Sequence, residues 1–310
     1  MSVEEAKKTI QQASDFIQAN VTAHFKSERP FHPHCLIICG SGLSGITSEL
    51  QNKDHLILPY SIIPGFASST VQGHNGELWF GFVKQTPVVI MSGRFHFYEG
   101  HSLDKIVFPI RALHEFSISH CGSSLKTLVA TNASGGLNPI YEVGDLMLLY
   151  DHVNLPGLCG NNPLRGPNYD KYGPRFLATS DCYNLELRKL AFQKKEELKI
   201  PRQLHEGTYC FVAGPTFESR AESFLLRNFG GDTVGMSTVP EVIIARHCGW
   251  NILAISVITN KCVMETPSSA LDDDQIPLDQ GKANHDEVLE MGKAASKDLQ
   301  ALIEGIVSEL

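Results

Sequence analysis

The sequence predicts an α/β fold. Short apolar runs suited to buried strands alternate along the chain with stretches of helical periodicity. Three of the apolar runs lead directly into glycine, at Gly40, Gly135 and Gly214, which is where α/β sheets place their sites. No internal repeat or linker divides the 310 residues, so the whole chain, 1–310, is expected to be a single domain.

Taken in order, residues 3–26 are an amphipathic helix, with Ala6, Ile10, Ala13, Ile17 and Val21 at helical spacing and Pro30 beyond its end. A strand, CLIIC, then runs into Gly40-Ser41-Gly42-Leu43-Ser44-Gly45. That run matches G-x-G-x-x-G, but no carboxylate stands at the end of a second strand about 20 residues on, as a dinucleotide site requires. A Gly-Ser-Gly turn offers backbone N–H groups and a hydroxyl to one phosphate instead. Residues 56–64 read as a strand, and 77–83 with 87–92 as a hairpin; His74 stands in the glycine-rich turn before it. A helix follows over 103–118, interrupted in pattern by Pro109. Two more strands follow, KTLVATN running into Ala133-Ser134-Gly135-Gly136, and DLMLLYDHVNL. Residues 154–176 are loop, and 184–198 are helical. The strand in EGTYCFVAG ends at Gly214-Pro215, and Phe217 and Glu218 are expected to open a helix. Met236 and Ser237 lie on a turn before a helix started by Pro240. NILAISVITNK is a long apolar strand ending in Thr259-Asn260-Lys261. Residues 265–281 are an acidic loop without periodicity, expected to be mobile, and a helix closes the chain from about 284 to 308.

Composition narrows the function classes. The formal net charge is −8, which favours neither nucleic acid nor an anionic membrane surface. No signal-peptide pattern opens the chain, and no apolar run approaches the ~20 residues that span a bilayer. The eight cysteines lack C-x-x-C spacing and read as reduced packing residues of a cytoplasmic protein.

An acidic chain that binds an anion needs a local cluster of donors. PVVIMSGRFHFYEGH, residues 87–101, supplies one. A buried strand ends at Ser92-Gly93, and Arg94, His96 and Tyr98 follow at alternate positions. If the extended geometry persists, the three share one face, and a guanidinium beside an imidazole there is a receptor for a small anion. The competing reading pairs Arg94 with Glu99 and makes His96 a core histidine.

GSGL, GRFHFYEGH, TNASGGLNP, GPTFES, GMSTVPEV, ITNK and KANH occur in this order. Together they closely resemble the trimeric purine nucleoside phosphorylases, from about residue 31 to the C-terminal helix. The resemblance implies a single α/β domain with a mixed, partly barrel-like sheet surrounded by helices. It implies phosphorolysis of inosine and guanosine, and of their deoxy forms, to free base and pentose 1-phosphate in purine salvage. Inorganic phosphate is then a co-substrate, and neither cofactor nor metal is required. Nucleoside and phosphate would be the partners, within a homotrimer.

The same resemblance assigns residues. Ser41, His74, Arg94, His96, the backbone N–H of Ala133, and Ser237 would hold phosphate. Tyr98, Val234 and Met236 would line the nucleoside, Phe217 would stack on the purine, and His285 would meet the ribose 5′-hydroxyl. Glu218 and Asn260 would bond the base edge; with His96 and His285 they form the implied catalytic set. Tyr172, where the family more often has phenylalanine, would reach into an adjacent subunit's site. The segment between Asn260 and His285 is longer than usual for the family, in a region that forms part of a lid. A methylthioadenosine phosphorylase shares the fold, but would carry an acid at position 260 and an apolar group at 285. A non-catalytic nucleoside-binding protein is the remaining alternative.

Overall fold

The computed structural model describes residues 3–26, 30–40, 44–47, 50, 54–68 and 75–310. Its elements run α1 (Val3–His24), β1 (Cys35–Cys39), β2 (Leu56–Pro59), β3 (Glu77–Val83), β4 (Thr86–Ser92), α2 (Leu103–His120), β5 (Thr127–Gly136) and β6 (Leu146–Asn154). They continue with α3 (Leu185–Glu197), β7 (Leu204–Phe211), α4 (Arg220–Asn228), β8 (Thr233–Gly235), α5 (Val239–His247), β9 (Asn251–Lys261) and α6 (His285–Val307).

The described strands join in one mixed sheet, ordered β2-β3-β4-β1-β5-β8-β7-β6-β9. A further pairing of β5 with β9 closes β5, β8, β7, β6 and β9 into a five-stranded barrel, from which β1 to β4 extend as an open wing. The expected mixed, partly barrel-like sheet is therefore present. Its seam is the parallel β5–β9 ladder, running from Thr127 opposite Asn251 to Gly136 opposite Lys261.

Period-two alternation along this seam builds two cores. Leu128 and Ala130 of β5, with Ile252, Ala254 and Ile258 of β9, pack into one core with α1, α2 and α5. Val129, Leu253, Ile255 and Val257 point the other way, into a second core with α3 and α6. Both faces are covered, so these strands read as unbroken apolar runs.

Several boundaries depart from the sequence reading. β2 stops at Pro59, and Tyr60–Ile62 form a 3₁₀ turn. β5 continues through Gly135 and Gly136 because both pair with β8. α2 runs through Pro109, a residue buried together with Val107 and Ile110. α4 starts at Arg220, so Phe217 and Glu218 precede the helix and do not open it. Ser219 is its N-cap, accepting from Glu222 N while the Glu222 carboxylate accepts from Ser219 N. This capping box fixes the start at Arg220, three residues after Phe217.

Ile255 is fully buried between the seam and α6. Ile255→Ala should lower stability by about 2–5 kcal/mol, the range for removing a large aliphatic side chain from a packed core. Urea unfolding followed by circular dichroism measures it.

Candidate active site

A cavity of about 320 Å³ lies where the barrel's seam meets the segments following β4, β7 and β8. Arg94, His96 and Tyr98 enter from the chain after β4, and Asn132 to Gly135 from the end of β5. Pro215, Phe217 and Glu218 come from the segment before α4. Val234 to Ser237 come from β8 and the turn after it, Thr259 and Asn260 from β9, and His285 and Val288 from the start of α6.

At one end sits Arg94, 1 % exposed. Its Nε donates to Glu241 Oε1 at 3.0 Å, and its Nη1 donates to the Thr131 carbonyl at 2.7 Å and to Ser237 Oγ at 3.2 Å. The competing pairing of Arg94 with Glu99 does not form; Glu99 serves His96. Glu99 Oε1 accepts from His96 N at 2.8 Å and lies 3.0 Å from His96 Nδ1. Burial lowers the His96 pKa; the Glu99 hydrogen bond opposes this, and the Arg94 charge adds to it. His96 is therefore neutral at pH 7. Donation from Nδ1 to Glu99 leaves Nε2 as an acceptor.

Arg94, His96 and Tyr98 reach the cavity together, but not on one strand face. β4 ends at Ser92, Gly93 takes φ +111°, and Phe97–Glu99 form a 3₁₀ turn. The turn brings the Tyr98 ring over His96, with centroids 4.7 Å apart and planes within 15°. Burial pushes the Tyr98 phenol up to about 12, so it stays protonated.

The opposite end is set by a bulge in the seam. Ser134 pairs with Ile258 and Gly135 with Asn260, leaving Thr259 as the extra residue. Thr259 Oγ1 lies 3.2 Å from Asn260 Oδ1 and 3.2 Å from the Ser134 carbonyl. A hydroxyl donated to Oδ1 leaves the Asn260 amide N–H groups for the cavity. Glu218 faces this end; burial raises its carboxyl pKa, and a hydrogen bond to its own backbone opposes the shift. Phe217 stands beside it, 43 % exposed and able to cover a planar ligand.

Of the residues singled out from the sequence, Arg94, His96, Tyr98, Ala133, Phe217, Glu218, Val234, Met236, Ser237, Asn260 and His285 all line this one cavity. Ser41 and His74 lie outside the described residues. Tyr172 is buried among residues of its own chain and donates its hydroxyl to Glu115 Oε2 at 2.8 Å. Lys171 holds the same carboxylate, and Tyr169 stacks beside Tyr172. Sequence reading missed Asn132, Ser134 and Thr259 in the wall, and Glu241 behind Arg94. Each stands inside a quoted motif, but its role depends on a partner distant in sequence.

The phosphorylase superfamily pattern matches residues 35–308. A purine nucleoside phosphorylase of Saccharomyces cerevisiae is 55 % identical over 100 % of this chain and 99 % of its own length. That of Rattus norvegicus is 50 % identical over 90 % of this chain and 89 % of its own. The crystal structure of Schistosoma mansoni purine nucleoside phosphorylase in complex with adenosine superposes with a TM-score of 0.81. It shares 38 % identity and covers 100 % of this chain and 98 % of that one. The chain belongs to the purine nucleoside phosphorylase family. It is an enzyme, a pentosyltransferase, and every residue of the cavity falls within the matched span. Among the described residues no group of His, Cys, Asp and Glu could hold a metal ion, and no helix is long and apolar enough to cross a membrane.

Gly135 is the tight point of the bulge. A Cβ there would stand 2.6 Å from Cys262 Sγ and 3.3 Å from Asn260 Nδ2. Gly135→Ala should displace Asn260 and lower kcat/KM by on the order of 10²-fold, the effect of a small misplacement of a positioned group. Steady-state kinetics, with an unchanged circular dichroism spectrum as control, measure it.

Proposed function

We propose that this protein cleaves purine nucleosides with inorganic phosphate, preferring inosine and guanosine, to free base and pentose 1-phosphate. The observation that carries the reading is the pairing of two chemistries in one cavity. Arg94 and His96 lie with Ser237 in one part of the lining, and Glu218 with Asn260 in another. Phosphate arrives as an anionic nucleophile. Neutral His96 accepts a proton-bearing oxygen at Nε2, the Ala133 N–H and Ser237 hydroxyl donate, and Arg94 supplies charge; Ser41 and His74 are assigned to the same anion.

As the glycosidic bond lengthens, the sugar gains positive character and the purine negative character. Phosphate faces the sugar, and His285 meets its 5′-hydroxyl. On the other side Asn260 donates to O6 and accepts from a protonated N7. Fixed dipoles aimed at developing charge need no reorganisation during the reaction. An ionised Glu218 accepts from N1–H and, in guanine, from the 2-amino group. Adenine presents a bare N1 and a 6-amino donor, which leaves Glu218 facing a lone pair. The acidic loop 265–281 acts as a lid over this end; Arg220, ahead of the cavity in α4, donates to the carbonyl of Glu265 at 2.9 Å and lies 3.5 Å from that of Leu278.

The working unit is a homotrimer in the cytoplasm. Leu158 at 78 % and Phe176 at 90 % exposure are apolar side chains on one long connection, and a second copy would cover them. Sedimentation equilibrium should give three times the chain mass; an active, stable monomer would sink the assembly.

The activity is tested with inosine and phosphate, following hypoxanthine release with and without phosphate. Release only when both are present is expected. Inosine should exceed adenosine in kcat/KM by on the order of 10⁴, because a site built for one hydrogen-bond pattern leaves its groups unpaired with the other. The schistosome relative's adenosine complex makes adenosine the informative competitor. Asn260→Asp should narrow the ratio, since an acid accepts from the 6-amino group. Equal values for both nucleosides in the unmodified enzyme would overturn the base-recognition scheme while leaving phosphorolysis standing.

A further inference from the structure

A carboxylate stands directly behind the guanidinium of this anion site. The side chains of Arg94 and Glu241 are 1 % and 4 % exposed, with Nε and Oε1 3.0 Å apart. Glu241 occupies the first turn of α5, where the helix N-terminus favours negative charge. A chain of hydrogen bonds fixes that turn. Ser256 Oγ donates to Asn132 Oδ1 at 2.7 Å, and Asn132 Nδ2 donates to Thr238 Oγ1 at 2.9 Å. Thr238 is the N-cap residue of α5 and has φ +72°, a conformation that costs a β-branched residue and persists only where its surroundings enforce it. Its hydroxyl lies 3.1 Å from that of Ser237, which accepts from Arg94.

This arrangement answers two physical problems. An arginine buried without a counter-charge is strongly destabilising while the site is empty. A long flexible side chain also loses rotamer freedom when it must hold one pose. Glu241 addresses both, taking Nε while Thr131 and Ser237 take Nη1. The pair carries no net charge, so phosphate meets directed donors and an aimed guanidinium whose attraction is partly offset.

Resting on the phosphorolytic reading, we propose that Glu241 is a positioning residue for phosphate: it aims Arg94 and weakens its hold on the anion, so that phosphate and pentose 1-phosphate exchange readily. The two roles separate by substitution. Glu241→Gln keeps an acceptor for Nε and removes the offsetting charge. Glu241→Ala removes the acceptor as well.

In Glu241→Gln the KM for phosphate should fall about tenfold, and inhibition by pentose 1-phosphate should strengthen, with the nucleoside KM within about twofold. In Glu241→Ala the phosphate KM should rise at least about tenfold, the loss of one charged hydrogen bond. A merely structural carboxylate would shift both variants in the same direction and both substrates together, and that result overturns the proposal. So does an unchanged phosphate KM in Glu241→Gln. Should Glu241→Ala not fold, the isosteric Gln variant decides alone. Calorimetric titration of inorganic phosphate without nucleoside reads the same change in affinity. It separates failure of this inference from absence of turnover in the unmodified enzyme.

Discussion

Closure of the barrel along β5 and β9 is the constraint on which the site depends. The ladder holds Asn132 to Gly135 on one strand against Thr259 and Asn260 on the other. Both strands are buried on their two faces, so the ladder cannot slide without moving a full set of apolar side chains to the wrong core. A single extra residue, Thr259, is accommodated at the carboxyl end, where the strands leave the core and reach the cavity. The irregularity is thus confined to the place where a side chain must be re-aimed.

The remaining groups are brought to this seam from outside it. The chain after β4 delivers Arg94 and His96, and the first turn of α5 delivers Glu241 and, just before it, Ser237. Arg94 is held by Thr131 of β5 and Glu241 of α5, and His96 by Glu99 of its own turn. A binding site made this way is rigid because its parts are mutually braced, and its geometry is set before substrate arrives.

What was legible in the sequence was local. The apolar runs of β1, β4, β5 and β9 and the helical spacing of α1 announce themselves within a few residues, and the motifs around Arg94, Glu218, Ser237 and Asn260 lie in short contiguous stretches. What was not legible was long-range. Arg94 meets Glu241 across 147 residues, and Tyr172 meets Glu115 across 57. An acid in a helix's first turn looks the same whether it caps the helix or braces a ligand. The Tyr172 hydroxyl donates to a buried carboxylate of its own chain, held also by Lys171. The alternate spacing of Arg94, His96 and Tyr98 suggested a strand; Gly93 and the turn that follows bring the same three side chains together by a different backbone.

The last helix gives the cavity an uneven mechanical character. α6 has 23 residues, about 34 Å of helix, and its buried face runs from Val288 through Gly292, Ala295 and Leu299 to Val307. Its first residue, His285, stands at the cavity on an exposed turn whose first buried side chain is Val288. The wall supplied by Asn260 is built into the braced seam, while His285 stands on the exposed turn ahead of the first buried side chain of α6. Tolerance should therefore be uneven around the cavity: a shift at Asn260 is felt by the whole barrel, whereas a shift at His285 is absorbed by a small tilt of one helical turn.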